Sequence, residues 1–177
     1  MRRIYESRAL DYDDEDPHKP KKKQTWRDDN QTRAAINWDA ASHALLPSRL
    51  RPLAIAVTVE TDREVYDVDT PVGFRVQFHN RIPFPVALKT TSPVRWSWSI
   101  DGIEEASRVV DHPRERSLFR FSRAERKTFH RQWHQRFRET VHRWESADPG
   151  EHTLSVRVNV PSAERKGLTA ETTFRIE

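Results

Sequence analysis

A chain of 177 residues that is 35% hydrophobic, with a mean hydropathy of −0.90, can hold one packed body of about 125 residues but cannot be compact throughout. It contains no cysteine, which excludes disulfides and thiolate chemistry and fits a reducing compartment. Met1–Ser7 lacks the apolar stretch of a signal peptide and no run approaches the roughly 18 apolar residues of a membrane span, so a soluble cytoplasmic protein is expected; the net charge of +4 is modest but unevenly spread.

Residues 1–52 read as an N-terminal arm. An acidic run from Asp11 to Asp16 precedes lysines from Lys19 to Lys23, with Pro17 and Pro20 among them. Opposite charge blocks and prolines favour a solvated, extended, largely irregular chain. Scattered apolar residues such as Ile4, Tyr5 and Trp26 could pin it to a surface. The spacing of Trp38, Ala41 and Leu45, ended by Pro47, predicts a short helix over 32–46.

From Leu53 the texture changes to a period of two, the signature of strands with one dry and one wet face. Leu53–Thr61 alternates through Ile55, Val57 and Val59, and Pro71–Asn80 through Val72, Phe74, Val76 and Phe78. Pro85–Thr90 and Val94–Ile100 follow, the second carrying Trp96 and Trp98, and Asp101-Gly102 then supplies a tight hairpin turn. Glu104–Val110 and Ser117–Phe121 are weaker strand candidates. Pro149-Gly150 launches the clearest strand, in which Leu154, Val156 and Val158 face one way and Thr153, Ser155, Arg157 and Asn159 the other. Thr169–Ile176 closes the chain. Short strands recurring every 8 to 12 residues or so predict an antiparallel sandwich or barrel.

One stretch resists this pattern. Phe129, Trp133, Phe137, Val141 and Trp144 recur at helical spacing, and Ser122-Arg123-Ala124-Glu125 fits a capping box. Local physics therefore favours a helix over 123–144. As a strand, the segment would place Arg131 on the same face as Phe129 and Trp133.

An ordered series of features carries a resemblance. It runs from Phe74–Asn80 and Pro85–Leu88 through the Trp96/Trp98 strand with Asp101-Gly102. Glu125–Phe129 leading to Trp133 continues it, and Pro149–Leu154 closes it. Over about residues 54–160 the chain resembles the intracellular proteinase inhibitor family of Bacillus type. Over most of its length it is similar to uncharacterised small proteins of halophilic archaea, which share the opening Met1–Ser7 and the closing Glu171–Ile176. The resemblance implies an immunoglobulin-like β-sandwich, with a strand at Lys127–His134 and a loop over 135–148. Three features depart from it: Ala124 replaces the glycine of the family's Gly-Glu turn, Arg131 fills an apolar position, and the chain is basic where halophile proteins are acidic. An inhibitor needs an exposed, extended, rigid loop, a role the resemblance would give to Arg81–Pro85 with its two prolines.

The basic, aromatic stretch from Arg114 to Arg143 is the best functional candidate. It holds ten basic residues against three acids, +7, while the rest of the body has ten against fifteen, −5. Arg123, Arg126, Lys127, Arg131, Arg136, Arg138 and Arg143 could meet phosphates or an acidic protein partner. Trp133, with Phe119, Phe121, Phe129 and Phe137, could stack on unpaired bases. The plainer reading, in which the aromatics are core and the arginines a solvated face, carries more weight than either binding role. His130 and His134, four residues apart, would stand about 5–6 Å apart at Cβ on a helix, or about 13 Å apart on a strand where they could not share an ion, and no third ligand has a convincing spacing. No metal site is expected, and His130, His134, His142 and His152 are expected at the surface. Trp96 and Trp98 are expected in the core. Nothing orders the Ser, His and Asp residues into a catalytic set, and with four glycines there is no phosphate loop, so neither enzyme activity nor a cofactor is expected.

The expectation is thus an all-β chain, an immunoglobulin-like antiparallel sandwich over 53–177 behind an extended arm. Its expected role is a non-catalytic binding or assembly module whose unknown macromolecular partner is first of all a protein. A nucleic-acid or ribonucleoprotein binder is the alternative, and an intracellular protease inhibitor the third reading.

Overall fold

Each segment with clean period-two alternation forms a strand in the computed structural model of the protein, which describes residues 47 and 49–177. The helix expected at 32–46, and the arm up to Leu46, lie outside the described residues. A 3-10 turn at Arg51–Ala54, opened by Pro52, leads into the sandwich.

One sheet has three strands in the order β1 (Ile55–Thr61), β3 (Val72–Asn80), β8 (Arg126–Trp133). The other has five: β2 (Val65–Tyr66), β12 (Thr169–Ile176), β11 (Gly150–Val158), β5 (Trp96–Ile100) and β6 (Ile103–Glu104). All pair antiparallel except β2 with β12. This is the immunoglobulin-like sandwich expected from the sequence. The two inner faces meet through aromatic rings: Phe74 lies 5.2 Å from Trp98, and Phe78 5.6 Å from Trp96. Val72, Val76, Ile100, Leu154, Val156 and Val158 are fully buried between the sheets, each contributing about 1.5–3 kcal/mol by leaving water. Trp96 and Trp98 are half-buried and pack against this core, the side on which they were expected.

A corner joins these sheets at one side. β4 (Val86–Thr90) pairs with β7 (Ser117–Phe121), Val86 opposite Phe121. Between this ribbon and the β3–β8 ladder, Asn80 N–H donates to the Glu125 carbonyl at 2.9 Å and Ala124 N–H to the Ile82 carbonyl at 3.2 Å. The two ladders are therefore one, bent at Asn80. That side chain is wholly buried; its Nδ2 donates to the carbonyls of Phe84 (2.7 Å) and Ser122 (2.8 Å) and its Oδ1 accepts from Ile82 N–H. The connection Arg81–Pro85 consequently bends through Ile82, Pro83 and Phe84 rather than standing out as the extended loop an inhibitor presents.

Local chemistry explains the other joints. Asp101 and Gly102 both have positive φ, 50° and 80°, as the expected tight turn between β5 and β6 requires. Tyr66 is buried on β2 and its hydroxyl donates to the Asp62 carboxylate. Burial, then that hydrogen bond, push the Tyr66 hydroxyl up to about 12. The Asp62 carboxylate crosses β3 at Gly73, where a Cβ would sit 2.7 Å from Asp62 Oδ2, so no larger residue fits without displacing it.

Three expectations need correction. The helix that local spacing favours over 123–144 does not form; the strand the resemblance implies at Lys127–His134 does, as β8 (Arg126–Trp133). Phe129 and Trp133 share the inner face of β8, because a spacing of four satisfies a strand as well as a helix. Glu125 Oε2 does accept from Ser122 N–H at 2.6 Å, half of a capping box, but it closes a tight turn in which Ala124 takes φ 52°. Secondly, 135–148 is not a loop throughout: Gln135, at φ 54°, turns the chain into a small hairpin of β9 (Arg136–Arg138) and β10 (Trp144–Ser146). Finally, of the candidate strand Glu104–Val110 only Glu104 is in a strand, because Glu105 and Ala106 turn with φ near 50°.

Candidate binding edge

β8 places the basic residues. Its side chains alternate, so Arg126, Thr128, His130 and Gln132 face out with Arg75 and Gln77 of β3, while Lys127, Phe129, Arg131 and Trp133 face the second sheet. Two cations thus point inward on an edge strand. Each rests on a ring: Lys127 Nζ lies 5.7 Å from the centre of Phe121, and the Arg131 guanidinium 5.5 Å from that of Trp96. Both charged heads still reach solvent past the rim of the sheet, Arg131 being exposed and Lys127 partly so.

The other partners are weak or local. Lys127 also pairs with Glu125 at 2.7 Å. That bond first, and then the Ser122 N–H, hold the Glu125 carboxyl below its ordinary value. Arg126 reaches Gln77 at 3.4 Å and lies across the ladder from His79. Desolvation, then the charges of Arg126 and Arg81, lower the pKa of His79 from its ordinary value. Arg123 sits exposed in the turn before β8, which brings Arg123, Arg126, Lys127 and Arg131 onto one edge.

Arg136, Arg138 and Arg143 are placed separately, on the β9–β10 hairpin. The Arg138 guanidinium lies 5.6 Å from the Trp144 ring centre and donates to the Val141 carbonyl, while Arg136 stands 4.0 Å from Asp69. Trp144 and Val141 are exposed there, at 57% and 59%. A groove of about 380 Å³ runs beside this hairpin, walled by Trp98, Trp133, Trp144 and Arg136.

Trp133 is not the stacking platform expected of it. It is 3% exposed, its Nε1 donates to the Arg136 carbonyl at 3.0 Å, and its ring packs on Phe137, His152 and Phe174. Phe119 and Phe121 are likewise core. His152 also departs from expectation: it is buried, with Nδ1 2.7 Å from the Asp101 carboxylate and Nε2 2.8 Å from the Asp148 carbonyl. A carbonyl can only accept, so Nε2 carries a proton. His152 thereby ties the start of β11 to the turn upstream, as a tyrosine does in many such sandwiches. Its parity with Leu154 and Val156 was the available signal. His130, His134 and His142 are exposed as expected.

No helix among the described residues is long and apolar enough to cross a membrane. Solved structures share the outline with little sequence. The CARDB domain of a Pyrococcus furiosus protein, in complex with di-metal ions, is 12% identical over 69% of this chain and 91% of that one, with a TM-score of 0.42. An alkylpurine DNA glycosylase of Pseudomonas fluorescens, bound to DNA containing an abasic site analog, is 16% identical over 70% of this chain and 30% of its own, with a TM-score of 0.40. A β-glucosidase from Erythrobacter marinus is 11% identical over 70% and 15%, with a TM-score of 0.44. The chain spans less than a third of either enzyme. No curated protein matches. A family profile does match residues 43–177, and the chain therefore belongs to the family of unknown function DUF7974.

Proposed function

We propose that the protein is a non-catalytic binding module, acting in the cytoplasm, that meets an acidic protein partner along the basic edge formed by the Arg123 turn and β8. The observation that supports this reading is the pair of inward cations, Lys127 and Arg131, held over Phe121 and Trp96 with their charged heads at the rim. Such an edge offers fixed positive charge beside apolar surface, which suits carboxylate side chains on a folded or extended partner. Along this edge a protein is favoured over nucleic acid because Phe119, Phe121 and Trp133, three of the rings that could have stacked on bases, are consumed by the core, while the exposed Trp144 lies on the separate β9–β10 hairpin. The buried polar side chains of Asn80, Gln135 and His152 each hold backbone groups in place, which is structural work rather than chemistry.

The test is a fluorescence titration of the full chain with polyglutamate and, in parallel, single-stranded RNA at low and moderate salt. The reading predicts polyglutamate binding that weakens at least about tenfold in Arg126→Glu/Arg131→Glu, with RNA bound no better than that variant binds it. Tighter RNA binding that needs the same arginines would overturn it in favour of the nucleic-acid alternative.

A further inference from the structure

We infer that the open edge of β8 takes up an extended acidic segment of the partner as an added strand. This rests on the reading above and specifies how the partner is held. Among the described residues no strand pairs with the outer side of β8. The hydrogen bond from Asn80 N–H to the Glu125 carbonyl sets the phase of the β3–β8 ladder. Bonded pairs recur at every second residue of an antiparallel ladder. Lys127, Phe129, Arg131 and Trp133 therefore bond to β3, and Arg126, Thr128, His130 and Gln132 turn their N–H and C=O groups to the open side. The Asp62 N–H to Gly73 carbonyl bond, on the opposite side of β3, has the same phase. Arg131 confirms the direction, since its guanidinium reaches round to donate to the His130 carbonyl at 2.9 Å.

The side chains decide which strand can enter. A strand laid against β8 places its own inward residues beside Lys127, Phe129 and Arg131. Unpaired like charges side by side in a sheet are unfavourable, so a second copy of β8 is rejected, and a purely apolar strand would desolvate both cations without compensation. A strand with an acid, an apolar residue and an acid at alternate positions satisfies all three. Its carboxylates replace the Glu125 and His130 carbonyl contacts of Lys127 and Arg131, and its apolar residue extends the Phe129 surface. Main-chain bonds supply affinity and the two cations supply selectivity.

The experiment uses the full chain and a capped peptide of threonines carrying glutamate, valine and glutamate at alternate inward positions. Residue-resolved amide exchange is measured with and without saturating peptide. Strand addition predicts at least tenfold slower exchange at Thr128 and His130, whose N–H groups face the open side, with little change at Phe129 and Arg131. N-methylation of the peptide at the positions bonding to β8 should weaken binding at least tenfold. Thr128→Pro should do the same, since that N–H makes no ladder bond and an edge proline is tolerated there. If the acidic peptide binds equally well when N-methylated and leaves both amides unprotected, strand addition is wrong while the acidic-partner reading stands. If no acidic peptide binds, both fall; if RNA alone protects these amides, the occupant is nucleic acid and the inference is overturned.

Discussion

The guanidinium of Arg131 lies 5.5 Å from the centre of the Trp96 ring although its side chain faces inward on β8. A charge at an inward edge position blocks casual pairing between sheets. Arg131→Val should therefore increase concentration-dependent self-association, read by light scattering, while the unfolding free energy changes by no more than about 1 kcal/mol. An unchanged association profile would mean that Arg131 does not guard the edge.

Asn80 holds the bent ladder together. Asn80→Ala removes both donors from the Phe84 and Ser122 carbonyls at a site without solvent, and should cost about 2–4 kcal/mol in urea unfolding. Asn80→Asp should cost as much or more, because a carboxylate oxygen would face the two carbonyls. A loss below about 1 kcal/mol in both variants would show that the corner is held by packing alone.

The turn before β8 makes two predictions. Ala124 has φ 52°, so Ala124→Gly should stabilise the protein by up to about 1 kcal/mol. Glu125 has a carboxyl pKa lowered by Lys127 and then by the Ser122 N–H. A carboxyl whose folded pKa is depressed adds stability that is present above its unfolded value, 4.5, and is lost as pH falls through the folded value. Melting temperatures of the native chain and Glu125→Gln should accordingly differ most above the ordinary carboxyl value of 4.5 and converge only as pH falls through the depressed folded value. A gap that is constant with pH would remove the charge from the explanation.

His152 is bonded at both ring nitrogens. His152→Phe keeps the ring stack on Phe174 but leaves the Asp148 carbonyl without its donor, and should cost about 1–3 kcal/mol in denaturant unfolding. Loss of less than about 0.5 kcal/mol would assign the stability to the stack instead.

Where a segment is buried on one face, the fold was legible in its residues. β1, β3, β11 and β12 alternate cleanly because one face is dry and the other wetter. β8 was obscured because its inward face carries Lys127 and Arg131, cations made tolerable by rings on other strands that no local pattern reveals. The β9–β10 hairpin was hidden for a different reason: strands of three residues are too short to show a period. The basic character of the site was plain in the composition. Its division between an edge and a hairpin, and the withdrawal of Trp133 into the core, depend on contacts with β5, β11 and β12 that exist only once the sheets have packed.

The most direct test of the binding edge is a map of backbone amide shifts during titration of the full chain with polyglutamate. The account predicts that the largest changes fall on Arg123 to Trp133, with the outer face of β11 and β12 unmoved. Changes centred on the β9–β10 hairpin, or spread evenly over the surface, would contradict it.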